Sequence, residues 1–313
     1  MQNFLLSFNV VFPIAVLMAL GYFIKRIKLV NEGTVKQINN VIFKVFLPVM
    51  LFKNVYDSEI GEVFNWKLVA YTLTAVIISI VLPFILVPLF EKQNSKRGVM
   101  IQAMFRSNFV IFGIPITEAL CGSAATGVAA VLIAVVVPLY NFAAVIALEV
   151  FNGNKPNFLK ICKGIVTNPL IIASVLGLLV NFIGLDFPQI IEKSISSIGS
   201  IATPLALIIL GASINFGTVS KNISHLAIGI AVKLAVLPAA ALLIAAFVFG
   251  FRGAELSIMM SLFASPTAVS SFTMAQQMGG DSDLACQLVM FGTVASILTM
   301  FLWVFTFVSL GFI

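Results

Sequence analysis

Charge is what this 313-residue chain has least of: 10% of its residues are Asp, Glu, Lys or Arg, where soluble domains carry about 25%. A soluble enzyme with one membrane anchor is therefore excluded. All 12 acidic residues fall in loops or near the ends of apolar stretches. No buried acids are left for carboxylate-based Na⁺/H⁺ exchange. Histidine occurs once, as His225, which reads as an inner-loop residue without a role. There is no HExxH, GxSxG or Walker A pattern, and no nucleophile–base pair for an intramembrane enzyme. Cys121, Cys162 and Cys286 lie far apart without CxxC or metal spacing and read as packing residues. No cofactor or metal is expected. No basic residue precedes the first apolar stretch, whereas Lys25, Arg26 and Lys28 follow it. That order predicts a retained first helix with its N-terminus outside rather than a cleaved signal.

What the chain does have is apolar sequence from end to end: 60% hydrophobic residues and a mean hydropathy of +1.12. Spans need roughly 20 apolar residues. Ten are read, at 4–24, 34–54, 66–90, 98–120, 125–150, 160–183, 188–214, 224–250, 254–279 and 284–311. With the N-terminus outside, the inner loops hold Lys25, Arg26, Lys28, Lys36, Lys92, Lys96, Arg97, Lys155, Lys160, Lys163 and Lys221. The outer loops hold Lys53, Lys67, Lys193 and Arg252. This asymmetry predicts a multi-pass protein of the plasma (inner) membrane with both termini outside. It also accounts for the net charge of +6 without a nucleic-acid partner.

The halves look alike at a separation of about 155 residues. Arg97-Gly98 opens span 4 and Arg252-Gly253 opens span 9; Pro48 lies in span 2 and Pro204 in span 7. The expected division is a first five-helix repeat, 1–151, a short cytoplasmic linker, 152–159, and a second repeat, 160–313. An odd number of spans per repeat inverts the second relative to the first, which is a transporter design.

Two spans are interrupted by a proline and small polar residues: Arg106-Ser107-Asn108-Phe109-Val110-Ile111-Phe112-Gly113-Ile114-Pro115 and Ala264-Ser265-Pro266-Thr267-Ala268-Val269-Ser270-Ser271. In lipid, such breaks survive only where they are buried in protein or line a cavity. Breaks in corresponding positions of two halves point to a substrate site. Asn108 offers two donors and an acceptor beside the first break. Gly113 and Pro115 shape backbone there, and Ser265, Pro266 and Thr267 mark the second break. Ser270, Ser271 and Gln276 are further candidate contacts, with helix packing as the alternative. Three cations lie inside spans. Arg106, two residues before Asn108, suits a carboxylate or a gate. Lys44 is too deep in span 2 for snorkelling alone. Lys233 ranks below both. Buried positive charge favours an anionic substrate.

At these residues the chain resembles the auxin efflux carrier family, which includes plant PIN carriers and bacterial malate or malonate permeases. Asn108 to Ile116 is similar to the family's Pro-Asn-Thr-x-x-x-Gly-x-Pro-Leu segment, with Ser107 where plant members have proline. Ser265-Pro266-Thr267, followed by Phe272 and Ala275, resembles its Pro-x-Gly…Phe-x-Phe-Ala segment. Thr203-Pro204-Leu205, followed by Leu210-Gly211-Ala212, is similar to span 7 of bacterial members. The resemblance implies an all-α integral membrane fold: ten transmembrane helices as two inverted five-helix repeats, split into a scaffold and a transport domain. Broken helices 4 and 9 would cross at a site for a small organic anion. It implies a secondary transporter of carboxylates such as malate or malonate, with H⁺ or Na⁺ coupling open and a homodimer plausible. A cation/proton antiporter, an intramembrane enzyme and a channel are the alternatives.

Overall fold

The computed structural model describes the backbone of residues 2–57, 65–122, 124–152, 163–164 and 166–313. Within these it describes side chains from residue 12 onward, except at 113–115, 124–127, 130, 131 and 134. Most of the linker expected at 152–159, and Cys162, lie outside the described residues.

Regular structure among the described residues is entirely helical. In chain order it comprises α1 (Gln2–Arg26), α2 (Glu32–Tyr56), α3 (Trp66–Phe90), α4 (Asn94–Phe105), α5 (109–121) and α6 (Ala124–Val150). Then come α7 (Pro169–Ile183), α8 (Gln189–Ala212), α9 (Phe216–Val248), α10 (Gly253–Phe263), α11 (Ser270–Gln277) and α12 (Ser282–Ser309). Five of these, α2, α3, α8, α9 and α12, are long and apolar enough to cross a bilayer; Val135–Val150, α7 and α10 are shorter apolar helices.

Local chemistry sets several of the helix starts. Asn31, Asn65 and Asn168 turn their side-chain oxygens onto the first free backbone N–H groups of α2, α3 and α7, and Asp281 does the same for α12. Each side chain thereby satisfies a donor with no partner inside its helix. Gly184 ends α7 with a left-handed φ of 68°, the conformation only glycine adopts without strain.

Three of the prolines inside helices follow wide π-helical turns. Ile42–Phe46 precedes Pro48, Phe109–Gly113 precedes Pro115, and Val232–Val236 precedes Pro238. A proline frees the carbonyl four residues back and crowds it, and a widened turn relieves that clash. In α9 the freed Leu234 carbonyl takes a hydrogen bond from Trp303 Nε1 at 3.0 Å. The first interruption consequently differs from its sequence reading. The chain leaves helix at residues 106–108, whereas Pro115 sits inside α5, after the π turn. The second interruption, at 264–269, does bracket Pro266.

Two groups of helices carry the site. In the first, α1 packs on α8, α2 on α7, and α2 on α8. A Cβ on Gly21 would lie 1.9 Å from the Ile208 carbonyl oxygen, and one on Gly211 would lie 1.9 Å from that of Met18. The α1–α8 backbones therefore touch, as small residues permit in membrane helix pairs. In the second group, α3 packs on α4, α4 on α6, α5 on α10, and α9 and α11 on α12. The two interruptions meet inside this group, against α2 and α8 of the first.

Candidate functional site

α4 has 12 residues and α10 has 11, about 18 Å and 17 Å at 1.5 Å per residue. Neither spans a hydrocarbon core of about 30 Å, so each ends inside the protein. The interruptions cap each other. Ser107 Oγ donates to the Leu262 carbonyl of α10 at 2.5 Å, and Thr267 Oγ1 donates to the Ala103 carbonyl of α4 at 2.8 Å. Between them the Asn108 backbone N–H donates to the Pro266 carbonyl at 2.8 Å. Each break thus satisfies carbonyls that the other helix leaves orphaned at its C-terminus. Arg106 is buried, with its guanidinium on Asn141 Oδ1 and beside Met274 Sδ.

A cavity of about 100 Å³ opens at this crossing. Asn54 of α2, Arg106 and Asn108 of the first break, Tyr140 and Asn141 of α6, Thr203 of α8 and Ser270 of α11 line it, with residues 109–111 at the start of α5. Four buried donors around it lack a partner among the described residues: Asn54 Nδ2, Asn108 Nδ2, Asn141 Nδ2 and Tyr140 Oη. Orphaned buried donors are costly, and four on one cavity, beside a guanidinium, call for an acceptor. Among the described residues, no carboxylate lines it. At about 30 Å³ per water, the space holds a carboxylate-sized group.

A family model described as "Membrane transport protein" matches residues 6–161 and 154–304, nearly the whole chain. The chain belongs to the auxin efflux carrier family. It is similar to an "Uncharacterized transporter" of Methanothermobacter thermautotrophicus (strain Delta H), 24% identical over 301 residues, 96% of this chain and 98% of that protein. It is also similar to "Uncharacterized transporter MJ1031" of Methanocaldococcus jannaschii, 23% identical over 309 residues, with coverage of 96% and 98%. It is thus a multi-pass membrane protein of a transport family.

In this family member the sequence candidates fall into four sets. Arg106, Asn108 and Ser270 line the cavity. Ser265, Pro266 and Thr267 frame the break: Ser265 Oγ bonds back to the Ser261 carbonyl at 2.5 Å, and the other two join the reciprocal caps. Ser271, Gln276 and Lys44 lie off it. The Ser271 carbonyl receives Gln102 Nε2 at 3.0 Å, Gln276 Oε1 accepts from Asn39 Nδ2 at 2.7 Å, and Lys44 is exposed on the π turn of α2. Gly113 closes the π turn of α5 and Pro115 follows it; their side chains lie outside the described residues.

Asn54, Tyr140 and Asn141 were not singled out from the sequence. Tyr140-Asn141 is a polar pair in the middle of an otherwise apolar span, a signal that was available. His225 requires a correction: it stands inside α9, not in a loop, and its Nε2 is hydrogen-bonded to Glu91 Oε2. Glu91 is itself buried just past the end of α3. Burial pushes its carboxyl pKa up, but the Gln93 backbone N–H and His225 pull harder the other way, leaving it below the ordinary value.

Proposed function

We propose that this family member is a secondary transporter of small organic anions, carboxylates such as malate or malonate, working by alternating access. The supporting observation is the convergence, among the described residues, of Arg106 and four unpartnered donors on one cavity that no carboxylate lines. A carboxylate supplies acceptors and a charge opposite to that of Arg106, and charge-assisted hydrogen bonds are about twice as strong as neutral ones. The cavity is walled by both helix groups. Sliding of α3–α6 and α9–α12 against α1, α2, α7 and α8 would carry the crossing from one side of the bilayer to the other. In this reading residues 1–151 and 160–313 are the two inverted five-span repeats, each contributing helices to both groups, and both termini lie outside the plasma membrane on the count of basic loop residues. A homodimer would form through the first helix group.

The reading is tested by titrating the purified protein in nanodiscs with malonate and malate. Saturable binding that Arg106→Met weakens at least tenfold, with the fold intact, is the expected result. Binding indifferent to Arg106 would remove the anion from the crossing.

A further inference from the structure

The C-terminal end of α10 carries a feature that anion binding alone does not use. Half-helix C-termini bear partial negative charge, and in transporters with broken helices such ends, with unwound carbonyls, coordinate the coupling cation. Here the carbonyls of residues 260–263 are already engaged by the protein. Met260 O accepts from the Ala264 N–H at 2.9 Å and Ser261 O from Ser265 Oγ at 2.5 Å. Leu262 O accepts from Ser107 Oγ at 2.5 Å and Phe263 O from Lys233 Nζ at 3.1 Å. Beyond the helix, Pro266 O accepts from the Asn108 N–H.

Lys233 reaches this point from the π turn Val232–Val236 of α9 and is 2% exposed. Among the described residues it forms no ion pair. A buried cation without a counter-charge is costly and, in membrane proteins, usually functional. Arg106, the C-cap residue of α4, is the second buried cation at the crossing, its guanidinium turned to Asn141 and Met274. Two cations, of which Lys233 faces a half-helix end of roughly −0.5, leave an excess of roughly 1.5 positive charges near the crossing, which an anionic substrate offsets.

We propose that Lys233 is a tethered cation of the transport cycle. Its ammonium holds the place at the α10 terminus that a soluble coupling ion would take, and it acts as remote counter-charge to the transported anion, so binding and transport require no Na⁺. The inference rests on the anion reading above.

The test is malonate titration of the protein in nanodiscs, in NaCl and in choline chloride at equal ionic strength, for the wild type, Lys233→Met and Lys233→Arg. The wild type is expected to bind equally in both salts. Lys233→Met should lose about tenfold in affinity through the lost field of one buried charge, and Lys233→Arg should stay close to wild type. Wild-type binding that needs Na⁺ overturns the proposal and requires no variant to fold. So does wild-type affinity in a folded Lys233→Met. If malonate, malate and an aromatic carboxylate all fail to bind the wild type in either salt, the anion reading itself fails and this inference falls with it.

Discussion

Asn108→Ala separates binding from folding at the crossing. The backbone N–H of Asn108 bonds to the Pro266 carbonyl, and alanine keeps that bond. Its side-chain Nδ2 has no partner, so truncation breaks none of that group's hydrogen bonds in the empty protein, and the side chain borders an existing cavity. Thermal stability should therefore change little, by about 1 kcal/mol or less. With a carboxylate present the same Nδ2 donates to an ionised acceptor, a bond worth about 1.5–3 kcal/mol. Its loss weakens binding by about 10- to 150-fold. Asn108→Asp goes further, replacing the donor by a charge of the substrate's own sign, and should abolish binding. Calorimetric titration with malonate, alongside thermal unfolding, reads both quantities. The reasoning is refuted if a folded Asn108→Ala binds malonate as the wild type does, or if Asn108→Asp binds it as well as Asn108→Ala.

Three further outcomes are expected. Gly211→Val drives a Cβ to 1.9 Å from the Met18 carbonyl oxygen, so the α1–α8 pair must separate, and the yield of monodisperse protein in size-exclusion chromatography should collapse; normal yield would show that the two backbones do not touch. Thr267→Val leaves the buried Ala103 carbonyl without its cap and should cost about 1–3 kcal/mol of stability, seen as a lower unfolding temperature with malonate affinity largely kept. Because the folded-state pKa of Glu91 lies below its ordinary value of 4.5, the stabilisation from its partners is present above that pH and is lost as pH falls through the folded value. His225→Ala should flatten this acid dependence of unfolding below the ordinary carboxylate value, and an unchanged profile would show that the pair contributes nothing.

The helical class, and the interruption of two particular spans, were legible because both rest on local chemistry: apolar run length, proline and small polar residues. The Asn and Asp helix caps are equally local, although the sequence reading did not single them out. How the breaks engage was not legible, because the bonds from Ser107 to Leu262 and from Thr267 to Ala103 join residues more than 150 positions apart. The position of the first break was misjudged for a physical reason. Pro115 looked like the breaking residue, but a π turn absorbs it, and the chain unwinds earlier at Ser107-Asn108. Arg106 and Asn108 stood out as polar residues beside that break. Asn54, Tyr140 and Asn141 join them only through the packing of α2 and α6, which no periodicity specifies. His225 misled because polar neighbours made the first turns of α9 look like a loop, and its partner Glu91 lies 134 residues away.

The most direct test of the central claim is uptake of labelled malonate and malate into proteoliposomes by the wild type and by Asn108→Asp. The account predicts saturable uptake by the wild type, competed by unlabelled carboxylate and absent from the variant. Uptake that persists in Asn108→Asp, or a wild type that moves cations but no carboxylate, would contradict it.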